Sequence, residues 1–121
     1  MGVLSELKPQ GVFKYFEEIC RIPHGSYNTK AISDYIVDFA KGQGLKYRQD
    51  EFNNVVLFIE ASSGYENSPT YILQGHIDMV CANDAESTKD MAKEGLDLKT
   101  DGAFVWADKT SLGFCQRLLP S

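Results

Sequence analysis

Five consecutive apolar residues, Val55-Val56-Leu57-Phe58-Ile59, constrain this chain more than any other feature. A strand with one solvated face alternates apolar and polar residues, whereas an unbroken run of this length needs cover on both faces. The run therefore predicts a central strand in a layered α/β arrangement. Ahead of it, Leu45-Lys46-Tyr47-Arg48-Gln49 alternates and reads as an edge strand, joined to the central one through the turn residues Asp50-Glu51-Phe52-Asn53-Asn54. A third strand is expected at Tyr71-Ile72-Leu73, buried and bounded upstream by Gly64, Ser68 and Pro69.

Two segments have the period of helical covers. Val12, Phe13, Phe16, Ile19 and Cys20 recur at spacings of three and four, which puts one apolar face on a helix that follows Pro9 and Gly11. Pro23 lacks the donor that a further turn needs, so this helix stops near Ile22, and His24-Gly25-Ser26 follow as a bent, exposed turn. In the second helix, residues 29–40, Ile32, Tyr35, Ile36, Phe39 and Ala40 share one side while Ser33, Asp34 and Asp38 face water. Asn28 or Ser26 is placed to cap it, and Gly42 and Gly44 can take the positive φ of its stop. Near the other end, Leu96-Asp97-Leu98-Lys99 and Ala103-Phe104-Val105-Trp106 flank Thr100-Asp101-Gly102, and Asp-Gly between alternating runs is a strong hairpin signal. The polar stretch 83–94 reads as a solvated loop. The expected fold class is α/β: two amphipathic helices packed on a mixed β-sheet.

Composition removes several classes of function. The 121 residues are of one-domain length, and 43% hydrophobic with 24% charged residues is ordinary for a soluble globular protein. A net charge of −5 without a Lys/Arg cluster argues against nucleic acid or an acidic membrane as partner. No stretch approaches the ~20 apolar residues of a membrane span, and the acidic start Met1-Gly2-Val3-Leu4-Ser5-Glu6 does not read as a signal peptide, so the expected location is cytoplasmic. Cys20, Cys81 and Cys115 are odd in number and far apart, which offers neither a disulfide framework nor a Cys-x-x-Cys zinc knuckle. Cys20 lies on the apolar helical stripe, where a buried, inert thiol is expected. Gly-rich phosphate loops and a Gly-x-Ser-x-Gly nucleophile elbow are absent.

The chemistry is expected where the third apolar run ends, in Gln74-Gly75-His76-Ile77-Asp78-Met79-Val80. Residues two apart share a face of a strand, so His76 and Asp78 point the same way there. A carboxylate beside an imidazole holds one ring nitrogen protonated and leaves the other to bind a metal or take a proton. The plain alternative is that a histidine at a strand end is a structural hydrogen-bonder, and the same alternative applies to His24 in its turn. Asp101 and Gly102 read as turn makers, and Asp108 as either a cap or a site residue.

Taken together, Cys20-Arg21-Ile22-Pro23-His24-Gly25-Ser26, the block from Gln74 to Val80, and Gly95-Leu96-Asp97-Leu98 running into Asp101-Gly102, Trp106-Ala107-Asp108 and Thr110-Ser111-Leu112-Gly113 resemble the amino-terminal part of the aminoacyl-histidine dipeptidases, also called peptidase D or Xaa-His dipeptidases. The resemblance runs from Leu4 to Gly113 and implies residues 1–113 as the amino-terminal, incomplete part of a di-zinc peptidase catalytic domain. It further implies a cytosolic metallopeptidase that hydrolyses dipeptides with two zinc ions. His76 carries over as a metal ligand and Asp78 as the catalytic-site aspartate that supports it. Such chemistry rests on an acidified water attacking a peptide carbonyl that is polarised by metal.

The chain departs from the family pattern at its end. Phe114-Cys115-Gln116-Arg117 stands where the family has a small residue, a metal-bridging Asp, an acidic or amide residue and a Gly, and Lys109 replaces a Gly. Residues 114–121 therefore read as an aberrant tail, of the kind that a truncation or a change of reading frame near Gly113 leaves. A catalytic zinc needs about three protein ligands, and besides His76 the chain offers only Asp78, Asp108, Cys115 or His24. The expectation is at most a partial metal site and near-absent peptidase activity in this polypeptide alone. A second reading is a non-catalytic α/β module that binds a partner, or its own copy through exposed sheet edges.

Overall fold

The computed structural model describes residues 2–83 and 85–110, together with the backbone of 116–117. The first helix, α1 (Gln10–Cys20), buries Phe13, Glu17 and Cys20 on one face, as the three-and-four spacing requires. The second, α2 (Lys30–Gly42), buries Ile32, Ser33, Val37 and Ala40. Its cap differs from expectation: the N-cap position is Thr29 without a side-chain bond, because Asn28 and Ser26 are both engaged elsewhere. Gly44 takes the positive φ of the stop, at 68°, while Gly42 stays within the helix. The helices meet through an edge-on contact of the Tyr15 and Phe39 rings, with centroids 5.4 Å apart, and through the Tyr35 hydroxyl, which donates to Glu18 Oε2 at 2.6 Å. Burial and that carboxylate push the Tyr35 phenol up to about 12.

The strands pair antiparallel in two separate groups. In the first, β1 (Lys46–Gln49) pairs with β2 (Val55–Phe58) in the register Lys46 to Phe58 and Gln49 to Val55. Asp50 makes the connection, its Oδ1 accepting from the amides of Phe52 and Asn54. In the second, β3 (Leu98–Thr100) pairs with β4 (Phe104–Ala107), which pairs in turn with β5 (Gln116–Arg117). The Asp-Gly hairpin forms as expected, with Gly102 at φ 91° and Asp101 Oδ1 accepting from the amides of Ala103 and Phe104.

Two expectations about burial are corrected. β2 alternates instead of being covered on both sides: Val55 and Leu57 are half-buried, while Val56 and Phe58 are exposed. Only β1 pairs with it among the described residues, and α2 packs on one face. The run at residues 71–73 forms no strand, and Tyr71, Ile72 and Leu73 are 84%, 88% and 99% exposed. β propensity supplies a preference for extended backbone but not the partner strand that makes a sheet.

The principal core lies elsewhere, between α1, the amino-terminal segment and the second sheet. Leu4, Phe13, Cys20, Met91, Leu96, Leu98, Val105 and Ala107 form one buried cluster. Met91 draws the expected solvated loop partly into the interior. Just beyond that loop the chain is tied to the end of α1, where the Leu96 amide donates to the Cys20 carbonyl at 2.7 Å. Gly95 permits the approach, because a Cβ there would lie 2.3 Å from the Arg21 carbonyl oxygen.

Candidate active site

Without a strand to carry them, His76 and Asp78 come together by direct bonding. His76 Nδ1 lies 3.0 Å from Asp78 Oδ1 and 2.8 Å from the Asp78 carbonyl oxygen. Both neighbours are acceptors, so Nδ1 carries the proton and donates, and the lone pair of the neutral ring falls on Nε2. The imidazole is exposed at 81%, and the hydrogen bonds of its ring described here all run through Nδ1. That is the tautomer a metal ligand bound through Nε2 needs.

The other oxygen of the carboxylate is also held. Ser26 Oγ donates to Asp78 Oδ2 at 2.6 Å, across 52 positions of sequence. The Ser26 hydroxyl first, and then the His76 ring, keep the Asp78 carboxyl below the usual carboxylate range. The backbone makes this meeting possible: the Met79 amide donates to the His24 carbonyl at 2.9 Å, and Gly25 and Met79 form a short parallel bridge. The loop between the helices is thereby laid alongside the His-x-Asp segment. Ser26, read from sequence as a helix cap, is the residue of this site that pattern reasoning missed. The only signal was its place in the Pro23-His24-Gly25-Ser26 block.

Of the other candidates, His24 does not join the site. It is buried rather than exposed, at 8%, and its Nδ1–H donates to the Ile22 carbonyl at 2.5 Å. Asp108 is occupied by an ion pair with Lys99 and by the Trp106 indole N–H, which donates at 2.7 Å. These two contacts, Lys99 first, hold its carboxyl below the ordinary range. Cys115 lies outside the described residues, as does most of the tail 114–121. Cys20 is buried as expected, and burial pushes its thiol up to about 11. Among the described residues no three His, Cys, Asp or Glu side chains are grouped so as to hold a metal ion, and no helix is long and apolar enough to cross a membrane.

No protein-family model matches the chain. It is, however, 36% identical over 113 residues to the cytosol non-specific dipeptidase of Escherichia coli (strain K12), an alignment that covers 93% of this chain and 23% of that protein. The crystal structure of aminoacylhistidine dipeptidase from Vibrio alginolyticus superposes with a TM-score of 0.85 at 36% identity, again over 93% of this chain and 23% of the other. The chain thus has the α/β fold of part of a peptidase and spans about a quarter of the length of the relatives it matches.

Proposed function

We propose that this chain, similar over 93% of its length to known dipeptidases, is the amino-terminal part, residues 1–113, of a cytoplasmic zinc-dependent dipeptidase of the aminoacyl-histidine type. The observation that carries the reading is the His76–Asp78 pair, in which two acceptors hold the Nδ1 proton and leave Nε2 as the donor atom for metal. His76 would hold the ion and Asp78 would orient and polarise the imidazole. When bound in a complete site, zinc supplies Lewis acidity toward the peptide carbonyl and acidifies a water. One imidazole does not make such a site, since about three protein ligands are needed. The remaining ligands of the two-zinc centre would belong to the portion of these enzymes that this chain does not span. Alone, the polypeptide is therefore a partial metal site with negligible peptidase activity.

Zinc titration by calorimetry on the purified chain and on His76→Ala tests this. Binding that is lost in the variant, with no turnover of alanyl-histidine by either protein, is the expected result. Binding indifferent to His76 would remove the metal assignment, and zinc-dependent turnover by the chain alone would remove the partial-site assignment.

A further inference from the structure

The His76 ring is hydrogen-bonded to Asp78 through both the backbone carbonyl, at 2.8 Å, and the carboxylate, at 3.0 Å, and that carboxylate is itself 37% exposed. For a partly exposed carboxylate bonded through one oxygen only, water competes for that partner and the terminal torsion is set by a single bond. Here the second oxygen is bound as well. Ser26 Oγ donates to Oδ2 at 2.6 Å while His76 Nδ1 donates to Oδ1 at 3.0 Å, so the plane of the carboxylate is set by two donors on opposite oxygens.

Ser26 can serve as a fixed point because its loop is held at several places. The His24 carbonyl receives the Met79 amide, the Asn28 amide donates to the Gly25 carbonyl at 2.8 Å, and Asn28 Nδ2 donates to the Ala92 carbonyl at 3.0 Å. Gly25 packs so closely that a Cβ there would lie 2.5 Å from Cys81 Sγ. The hydroxyl is thus delivered to Asp78 by backbone that has little room to retreat.

We propose that Ser26 is a positioning residue for the metal-binding histidine: by fixing the Asp78 carboxylate it secures the second of the two acceptors, beside the Asp78 backbone carbonyl, that hold His76 in the Nδ1-protonated tautomer with Nε2 presented to metal. The tautomer part stands on the geometry alone, and the consequence for metal affinity rests on the functional reading above.

The test is long-range ¹H–¹⁵N correlation NMR of the imidazoles in the metal-free full chain, at a pH where both of its two histidines are neutral, with zinc calorimetry in parallel. His24, whose Nδ1 proton is held by the Ile22 carbonyl, is an internal control. In the unsubstituted chain both rings are expected as the Nδ1–H form. Ser26→Ala is expected to move His76, and not His24, toward the Nε2–H form and to weaken zinc binding by about tenfold, as loss of a partner behind a ligand does. Ser26→Thr, which keeps the hydroxyl, is expected to restore both. An unchanged His76 tautomer in Ser26→Ala overturns the inference, whatever the zinc affinity. So does a change shared by His24 that Ser26→Thr fails to restore, which would mean that the loop merely collapsed. If His76 shifts as expected but the unsubstituted chain binds no zinc, the positioning role stands and the metal reading falls.

Discussion

The two sheets of this molecule are built from similar residues and fare differently. Around α1, β3 and β4, Leu4, Leu98, Val105 and Ala107 are each no more than 8% exposed. In the segment from β2 to residue 73, Val56, Phe58, Ile59, Tyr71, Ile72 and Leu73 are between 46% and 99% exposed. Hydropathy does not separate the two regions; partners do. β4 has β3 on one side, β5 on the other and α1 nearby, whereas β2 has β1 and one face of α2, and residues 71–73 pair with nothing described here. Apolar area contributes about 25 cal/mol per Å² only where it is removed from water. An apolar residue is thus a claim on a neighbour, and in one of these regions the claim is met.

If that contrast is right, substitutions in the two regions should separate widely. The largest effect is expected at Phe13, the largest side chain of the buried cluster: Phe13→Ala should lower unfolding free energy by about 3–5 kcal/mol in urea titration. A loss under about 1 kcal/mol there would mean that the cluster is not the stabilising core.

The next effect tests how the amino-terminal segment is held against that core. Glu17 is buried at 8% and accepts from the Val3 amide at 2.9 Å, the Leu4 amide at 3.4 Å and Arg21 at 2.9 Å. Burial alone would raise its carboxyl, but the two amides and Arg21 together outweigh it and the group is held below its ordinary value. A lowered folded-state value means the carboxylate stabilises the fold above its ordinary range, and that this stabilisation is lost as pH falls through the lowered value. Glu17→Gln should cost about 1–3 kcal/mol at neutral pH. It should also flatten the fall in urea midpoint that the unsubstituted chain shows on acidification through and below the ordinary carboxylate range. An equally steep fall in the variant would place the acid sensitivity in other carboxylates.

A smaller effect sharpens the comparison from the other side. Ser33 is fully buried on α2, donates to the Asn53 carbonyl at 2.8 Å and accepts from Gln49 Nε2 at 2.8 Å, so it ties the β1–β2 hairpin to its helix. Ser33→Ala should cost about 1 kcal/mol and should raise amide exchange in the hairpin before it does so in β3 and β4. Uniform loosening of both sheets would show that they unfold as one unit. The smallest effect is expected at Leu73, which is 99% exposed: Leu73→Ser should change stability by no more than about 0.5 kcal/mol. A large loss there would show that this segment is covered in solution.

Much of the molecule was legible from pattern. The helical stripe carrying Phe13 and Cys20, the stop before Pro23, the turn around Asp50 and the Asp101-Gly102 hairpin all depend on interactions within a few residues of one another, and local chemistry decides them. The His76–Asp78 pairing belongs to the same class, since two positions of separation suffice to bring a ring nitrogen to a carboxylate. Even so, it forms by direct hydrogen bonding and not through the strand geometry that the pattern predicts.

What pattern could not supply was long-range. Whether Val56 and Ile72 are covered depends on which strands lie beside them, and propensity says nothing of neighbours that are distant in sequence. The Gly and Ser that follow His24 predict an exposed turn, yet the loop is bridged from Gly25 to Met79 and His24 is buried within it. The sequence by itself determined the helices, the turns and the pairing of imidazole with carboxylate, because each is settled by groups within a turn of one another. Only the tertiary structure decided that Ser26 reaches Asp78, since a contact across 52 residues exists only once the chain has folded around it.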